Sequence, residues 1–268
     1  MMTKTSNYGK KWTRDETILA LSLYYEIPYG KINRSNKYLQ SMSDLMHRSL
    51  SSLIMKMVNL ASLDEGLLNR GVTSLPHGSK LDKEIWTEFK GKFQYLLLEK
   101  ERILCSYNHA STNTNSTNIG LPETTDLKSY TAKEKNILAR RGQDFFRKAV
   151  LSAYNERCCM TGIAIPELLQ ACHIMPYSKC KNINDCLTPS NGICLNYLSH
   201  RAFDLGLISI HKINKTILVS DSLKKHPCLD EVSKQLLLSF EGKIIYLPER
   251  NLPDYIFLEY HNDVIFIL

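Results

Sequence analysis

No stretch of this 268-residue chain approaches the roughly 18 consecutive apolar residues that a membrane-spanning helix needs. The opening MMTKTSNYGKK is polar and basic with no apolar core behind it, so a cleavable secretory leader is not expected. The eight cysteines include no C-x-x-C pair, and the spacing of Cys172, Cys180, Cys186 and Cys194 fits neither a zinc ribbon nor a finger. Cys158 and Cys159 are adjacent, which is poor geometry for a bridge between them. A chain of this size builds a core without staples, so the thiols read as small apolar fillers in a reducing compartment. No internal repeat is visible. These absences point to a cytoplasmic protein with no membrane attachment and no structural zinc.

Hydrophobic residues make up 43% of the chain, enough for one large core or two small ones. The net charge is +7. Excess positive charge concentrates polyanions at a surface, and nucleic acid is the commonest of these, although many unrelated proteins are equally basic.

Residues 106–130, SYNHASTNTNSTNIGLPETTDLKSY, are rich in Ser, Thr and Asn and carry no apolar periodicity, as expected of a linker. They divide the chain into a unit over 1–105 and another over 131–268. The first reads as wholly helical. Thr13 and Glu16 fit a capping box, which predicts a helix over 14–25. A second helix is expected over 36–46. A third follows Arg48, with Leu50, Leu53, Ile54 and Met57 on one face and Ser51, Ser52, Lys56 and Asn59 on the other. One longer helix is expected over 82–104. The second unit reads as α+β. It opens with a capping box at Thr131 and Glu134 and a long helix. RCCMTG and LLQACHI then read as a hairpin, followed by a helix after Asn191. LGLISIH and KTILVS form a second expected hairpin, and the tail pairs a strand (KIIYL) with a helix (PDYIFLEYH).

The chemistry gathers in 168–206. His173 ends a predicted strand, Asn191-Gly192 follows a loop, and His200 precedes Asp204 by four residues. On a helix, i and i+4 share a face, so His200 and Asp204 can point at one ion. Phosphodiester hydrolysis needs a base whose pKa lies near the working pH, which suits an imidazole. It also needs a cation to neutralise charge building on the phosphate.

This ordered set resembles the HNH, or ββα-metal, endonucleases, and more closely a branch found among bacterial restriction enzymes. The residues that carry the resemblance are Phe146-Arg147, Tyr154, Arg157-Cys158, Thr161-Gly162, His173-Ile174, Pro176, Asn191-Gly192, Leu195, His200, Phe203-Asp204 and Gly206. They span roughly 140–210, with weaker similarity in YLPER and LEYHNDVIF. The resemblance implies a metal-dependent enzyme that cuts double-stranded DNA, leaving a 5′-phosphate and a 3′-hydroxyl. His173 would be the general base and Asn191 would hold the loop that aims it. His200 would bind one divalent metal, Mg²⁺ with Mn²⁺ able to substitute, and Asp204 is the candidate second ligand. Arg140, Arg141 and Arg147 are candidates for phosphate contact, or a solvated helix face. One HNH site cuts one strand, so a homodimer is expected for double-strand cutting. One departure stands out. Many relatives place a metal-binding Asp or His just before the base, and here that position is Cys172, a poor ligand for a hard cation. That keeps open a second reading, a DNA-binding regulator with an inert centre. His211, His226 and His261 are expected to be structural or surface residues.

In the first unit, Trp12 before a helix start and the later HRSLSSLIMKM resemble Myb-like or helix-turn-helix modules, whose last helix enters the major groove. That resemblance makes Arg48, Ser52, Lys56 and Asn59 candidate DNA contacts. The alternative is a small helical bundle serving dimer contact.

Overall fold

The structure is a computed structural model of the chain and describes residues 7, 9–68, 71, 79–111 and 132–266. It contains two compact units, Met1–Lys148 and Ala149–Leu268. The division falls inside a helix rather than in 106–130. The first six residues of the expected linker, 106–111, are helical, and the remainder lies outside the described residues.

In the N-terminal unit, α1 (Arg14–Glu26) begins at the expected capping box. The Thr13 hydroxyl accepts from Glu16 N at 3.2 Å, and the Glu16 carboxylate accepts from Thr13 N at 2.8 Å. Every residue from Glu16 to Glu26 is buried, so α1 is the central helix and not a half-exposed one. Around it lie α2 (Lys37–Leu45), α3 (Leu50–Ala61), α4 (Glu65–Leu68), α5 (Lys80–Phe89) and α6 (Phe93–Ser111). Asn36 caps α2 and Ser49 caps α3 through their side-chain oxygens. The single helix expected over 82–104 is two helices. Gly91 sits at φ 70° between α5 and α6, a left-handed conformation that breaks the helical run. The core is Ile18, Leu19, Leu23, Leu39, Leu53, Met57, Leu60 and Ile85, with Tyr24, Tyr25 and Trp86 as its aromatic part. Each such large apolar side chain contributes about 1.5–3 kcal/mol on full burial.

α7 (Ala132–Ala153) crosses the division. Its earlier part belongs to the N-terminal unit because its side chains find partners there. Arg141 pairs with Glu101, Phe145 lies 6.2 Å from Phe93 ring to ring, and the Lys148 ammonium sits 5.7 Å over the Tyr38 ring. Of the expected capping box at Thr131 and Glu134, Thr131 lies outside the described residues.

The C-terminal unit holds two small antiparallel sheets. β1 (Leu169–His173) pairs with β2 (Gly192–Asn196), placing His173 opposite Gly192 and Cys172 opposite Ile193. This corrects two expectations. RCCMTG forms no strand, and a strand rather than a helix follows Asn191. Residues 158 and 159 still join the sheet's surroundings, since Cys159 N donates to Cys194 O at 2.7 Å. The chain between the strands holds α8 (Ile183–Leu187), and α9 (Tyr197–Asp204) follows β2 directly. β3 (Ile208–Ile210) and β4 (Ile217–Val219) form the expected second hairpin. KIIYL contributes an isolated bridge, Ile244 to Thr216, and not a strand. Beyond β4 come α10 (Asp221–Lys224), α11 (Glu231–Ser233) and α12 (Tyr255–Tyr260), which continues into a wider π-type turn over His261–Ile265. Among the described residues no helix is long and apolar enough to cross a membrane.

Candidate active site

β1, β2 and α9 bring the predicted residues to one place. α9 starts where β2 ends because Asn196 caps it. Its Oδ1 accepts from Ser199 N at 2.9 Å, and its Nδ2 donates to Thr161 Oγ1 at 3.0 Å. The apolar face of α9 is anchored by the fully buried Phe203, whose ring stacks on His261 at 3.6 Å between centroids. That imidazole is buried. It meets Ser209 Oγ at 2.8 Å through Nδ1 and the Phe203 carbonyl at 3.1 Å through Nε2, so Nε2 is the donor. Burial pushes its pKa down to about 4, and the Phe203 carbonyl opposes the shift. His261 is therefore a neutral packing residue that fixes the angle of α9.

With Phe203 inward, the other face of α9 presents His200 and Asp204, 27% and 46% exposed, with Nε2 and Oδ2 3.4 Å apart. The buried Cys172 thiol lies beneath them and donates toward Asp204 Oδ1 at 3.7 Å. Burial pushes this thiol's pKa well up, and the Asp204 carboxylate adds to the shift, so by itself the sulfur stays protonated. One donor atom from each of Cys172, His200 and Asp204 falls within 4.8 Å of the others. Among the described residues this is the one such cluster able to hold a metal ion. An imidazole and a carboxylate, both solvent-accessible, suit a divalent cation that keeps open positions for water and phosphate oxygen.

His173, the last residue of β1, is largely buried and outside that trio. Its Nε2 lies 2.9 Å from the Cys186 carbonyl. A carbonyl can only accept, so Nε2 carries the hydrogen and Nδ1 keeps the lone pair in the neutral ring. Burial lowers its pKa, the Cys186 carbonyl and Asp204 pull it back up, and His200 lowers it further. The ring thus senses both acidic and basic members of the cluster while remaining a neutral base. Tyr177 places its ring edge against His173, with centroids 6.0 Å apart.

Asn191 is fully buried, and its side chain hydrogen-bonds to backbone groups and to the Cys180 sulfur. Its Oδ1 accepts from Met175 N at 2.8 Å, and its Nδ2 donates to Met175 O at 3.2 Å and Asp185 O at 3.1 Å. It closes the neck of the segment between β1 and β2, the segment that carries the Cys186 carbonyl.

The candidate DNA contacts of the N-terminal unit are placed differently. Arg48 is 4% exposed and pairs with Glu16 at 2.7 Å, donating also to the carbonyls of Asn7, Lys10 and Lys11. Lys56 is 5% exposed and pairs with Asp82 at 2.5 Å. Both cations lie 4.9 Å over the Trp12 ring. The expectation that they face a duplex is corrected, because a buried cation already held by a carboxylate has no path to a phosphate. Ser52 and Asn59 are half-buried, and the Asn59 Oδ1 accepts no hydrogen bond among the described residues. Arg140 is exposed, Arg141 is held by Glu101, and Arg147 is half-buried.

Sequence reasoning missed Tyr177, the Asn196 cap and the Cys186 carbonyl. The capping pattern Asn196 to Ser199 was visible, but a backbone acceptor leaves no trace in residue type. The search of curated proteins finds no match. Residues 158–211, about a fifth of the chain, match a family model described as HNH endonuclease, and they contain His173, Asn191, His200 and Asp204.

Proposed function

We propose that the chain is a metal-dependent HNH endonuclease of restriction type that hydrolyses double-stranded DNA. The observation that carries the reading is the neutral His173, tied through Nε2 to a carbonyl, beside an open imidazole–carboxylate pair on α9. His173 Nδ1 takes the proton from the attacking water. The Cys186 carbonyl holds the ring and stabilises the imidazolium that results. Asn191 acts as a positioning residue by fixing the loop that presents that carbonyl. His200 and Asp204 would hold a divalent cation, which supplies charge neutralisation at the scissile phosphate when bound. Attack of water at phosphorus leaves a 5′-phosphate and a 3′-hydroxyl. One such centre serves one strand, so cutting both strands calls for two copies of the chain. We place DNA reading in the N-terminal unit, where the exposed Ser51 and Met55 and the half-buried Ser52 and Asn59 are among the side chains of α3 that a duplex could meet.

The test is cleavage of modified and unmodified duplex DNA with Mg²⁺ or Mn²⁺, before and after EDTA. His173→Ala should retain DNA binding and lose cleavage by roughly 10²–10⁴-fold. A normal cutting rate in that variant removes His173 from the mechanism, and undiminished cutting in chelator removes the metal. The rival reading, a non-cleaving regulator, draws on the thiol at position 172. DNA binding without cleavage in any divalent cation would establish it.

A further inference from the structure

We infer that Cys172 is a third metal donor, making this centre selective for borderline, thiol-tolerant divalent cations (Co²⁺, Ni²⁺ or Zn²⁺) over Mg²⁺. The inference rests on the metal-dependent reading above and sharpens it. Its basis is the position of one sulfur. Cys172 lies on β1 opposite Ile193, fully buried, and its Sγ is 3.7 Å from Asp204 Oδ1, while His200 Nε2 is 3.4 Å from Asp204 Oδ2. Two donors bound tetrahedrally to one ion at ordinary bond lengths lie roughly 3.4–3.6 Å apart. The two contacts fall on opposite oxygens of Asp204, and the three donors lie within 4.8 Å of one another, so a shared cation draws them inward by about an ångström.

The surroundings add a second argument. The thiol sits at the closed end of the cluster, whereas His200 and Asp204 form its open rim. A cation seated between them would meet sulfur from below, and exchangeable water and phosphate from the solvent side. With no cation the sulfur keeps its proton and hydrogen-bonds to Asp204. A thiophilic cation displaces that proton to solvent and binds the thiolate, leaving a set of one S, one N and one O donor. Mg²⁺ is hard, gives up its waters reluctantly and gains little from sulfur. It therefore has two protein donors here, where the borderline cations have three. A carboxylate at the same position would reverse the preference.

The experiment uses the full-length protein stripped of metal and titrated with Co²⁺, without DNA. A thiolate ligand produces a sulfur-to-cobalt charge-transfer absorption in the near ultraviolet, which oxygen and nitrogen donors do not. The band should appear with the wild-type chain and vanish in Cys172→Ser and in His200→Ala. Cys172→Asp should lack the band and bind Mg²⁺ roughly tenfold more tightly by calorimetry. Cobalt binding without the band overturns the assignment, as does a band that survives Cys172→Ser, because another of the cysteines would then be its source. If Cys172→Ser fails to fold, His200→Ala decides. His200 is partly exposed, so its truncation should leave the fold intact, and a band that persists there overturns the site. Cleavage is read separately. The band without cutting in any cation would refute the nuclease reading and leave the metal site standing. Cutting in Mg²⁺ without the band would do the reverse.

Discussion

The polar interior of the N-terminal unit is ionic, while that of the C-terminal unit is largely neutral. Arg48–Glu16, Lys56–Asp82 and Lys100–Glu26 are buried ion pairs in the first. Asn191, Asn196, Ser209 and His261 are hydrogen-bonded neutral groups in the second, with Arg250 the exception. Each of these cations is held by a carboxylate and turned inward, Arg48 also taking up the carbonyls of Asn7, Lys10 and Lys11. The neutral amides and imidazole spend their bonds chiefly on backbone groups, which shapes loops and helix ends around a site. Basic residues in a motif-like pattern thus need not be available to a ligand. In this chain two of the four α3-region candidates are spent on stability.

Breaking an ionic contact should have the largest effect. Arg48→Ala leaves Glu16 buried without its guanidinium and should cost about 3–5 kcal/mol in urea unfolding. Unchanged stability together with a shallower salt dependence of DNA binding would mean that Arg48 faces phosphate after all.

Acid should separate the two units. His261 has a folded pKa of about 4 against an ordinary 6.5. The native state therefore favours the neutral ring. Its contribution is intact above pH 6.5 and is lost as pH falls toward 4, reaching about 3 kcal/mol. Glu16 behaves otherwise. Burial pushes its carboxyl up, but hydrogen bonds from Arg48 and Thr13 outweigh burial and hold it below the ordinary 4.5. Its contribution therefore persists until the pH drops beneath that value. Both tryptophans, Trp12 and Trp86, lie in the N-terminal unit, whereas Cys158, Cys159 and Cys194 are buried in the other. Between pH 6 and 4.5, thiol reactivity should rise before tryptophan fluorescence changes. The opposite order would contradict the neutral-interior description.

Asn191→Ala removes one acceptor and one donor from three buried backbone groups and should cost about 2 kcal/mol, with cleavage falling further than stability alone explains. Equal loss in the two readouts would make Asn191 a packing residue only. The smallest effect is expected from Thr13→Ala, about 1 kcal/mol in thermal unfolding, because the Arg48 pairing keeps Glu16 in place without the cap. No measurable effect would show that α1 is held by its burial alone.

Local signals were legible in the sequence. Capping at Thr13 and Glu16, the third-helix periodicity, the β3–β4 hairpin and the His200–Asp204 spacing all depend on neighbours within a few residues. What stayed hidden depends on distant partners. β1 pairs with a strand across an intervening helix, so the nearby RCCMTG drew the pairing instead. Arg48 and Lys56 read as surface cations because Glu16 and Asp82 lie 32 and 26 residues away. Gly91 was visible, but in a helical pattern a single glycine reads equally well as tolerated. The order of His173, Asn191, His200 and Asp204 was legible, while the closeness of the Cys172 sulfur to Asp204 was not, because it exists only in three dimensions.

The knot of bonds around Asn191 has a practical corollary. It ties Met175 to Asp185, so the strip from Tyr177 to Ile183, largely exposed, hangs from a clasped base. Lengthening a loop whose ends are already pinned costs only logarithmically in entropy, about 0.6 kcal/mol per doubling. A short peptide tag or fluorophore grafted near Lys181 would then ride on the segment that also carries the Cys186 carbonyl bonded to His173, without loosening its clasped base.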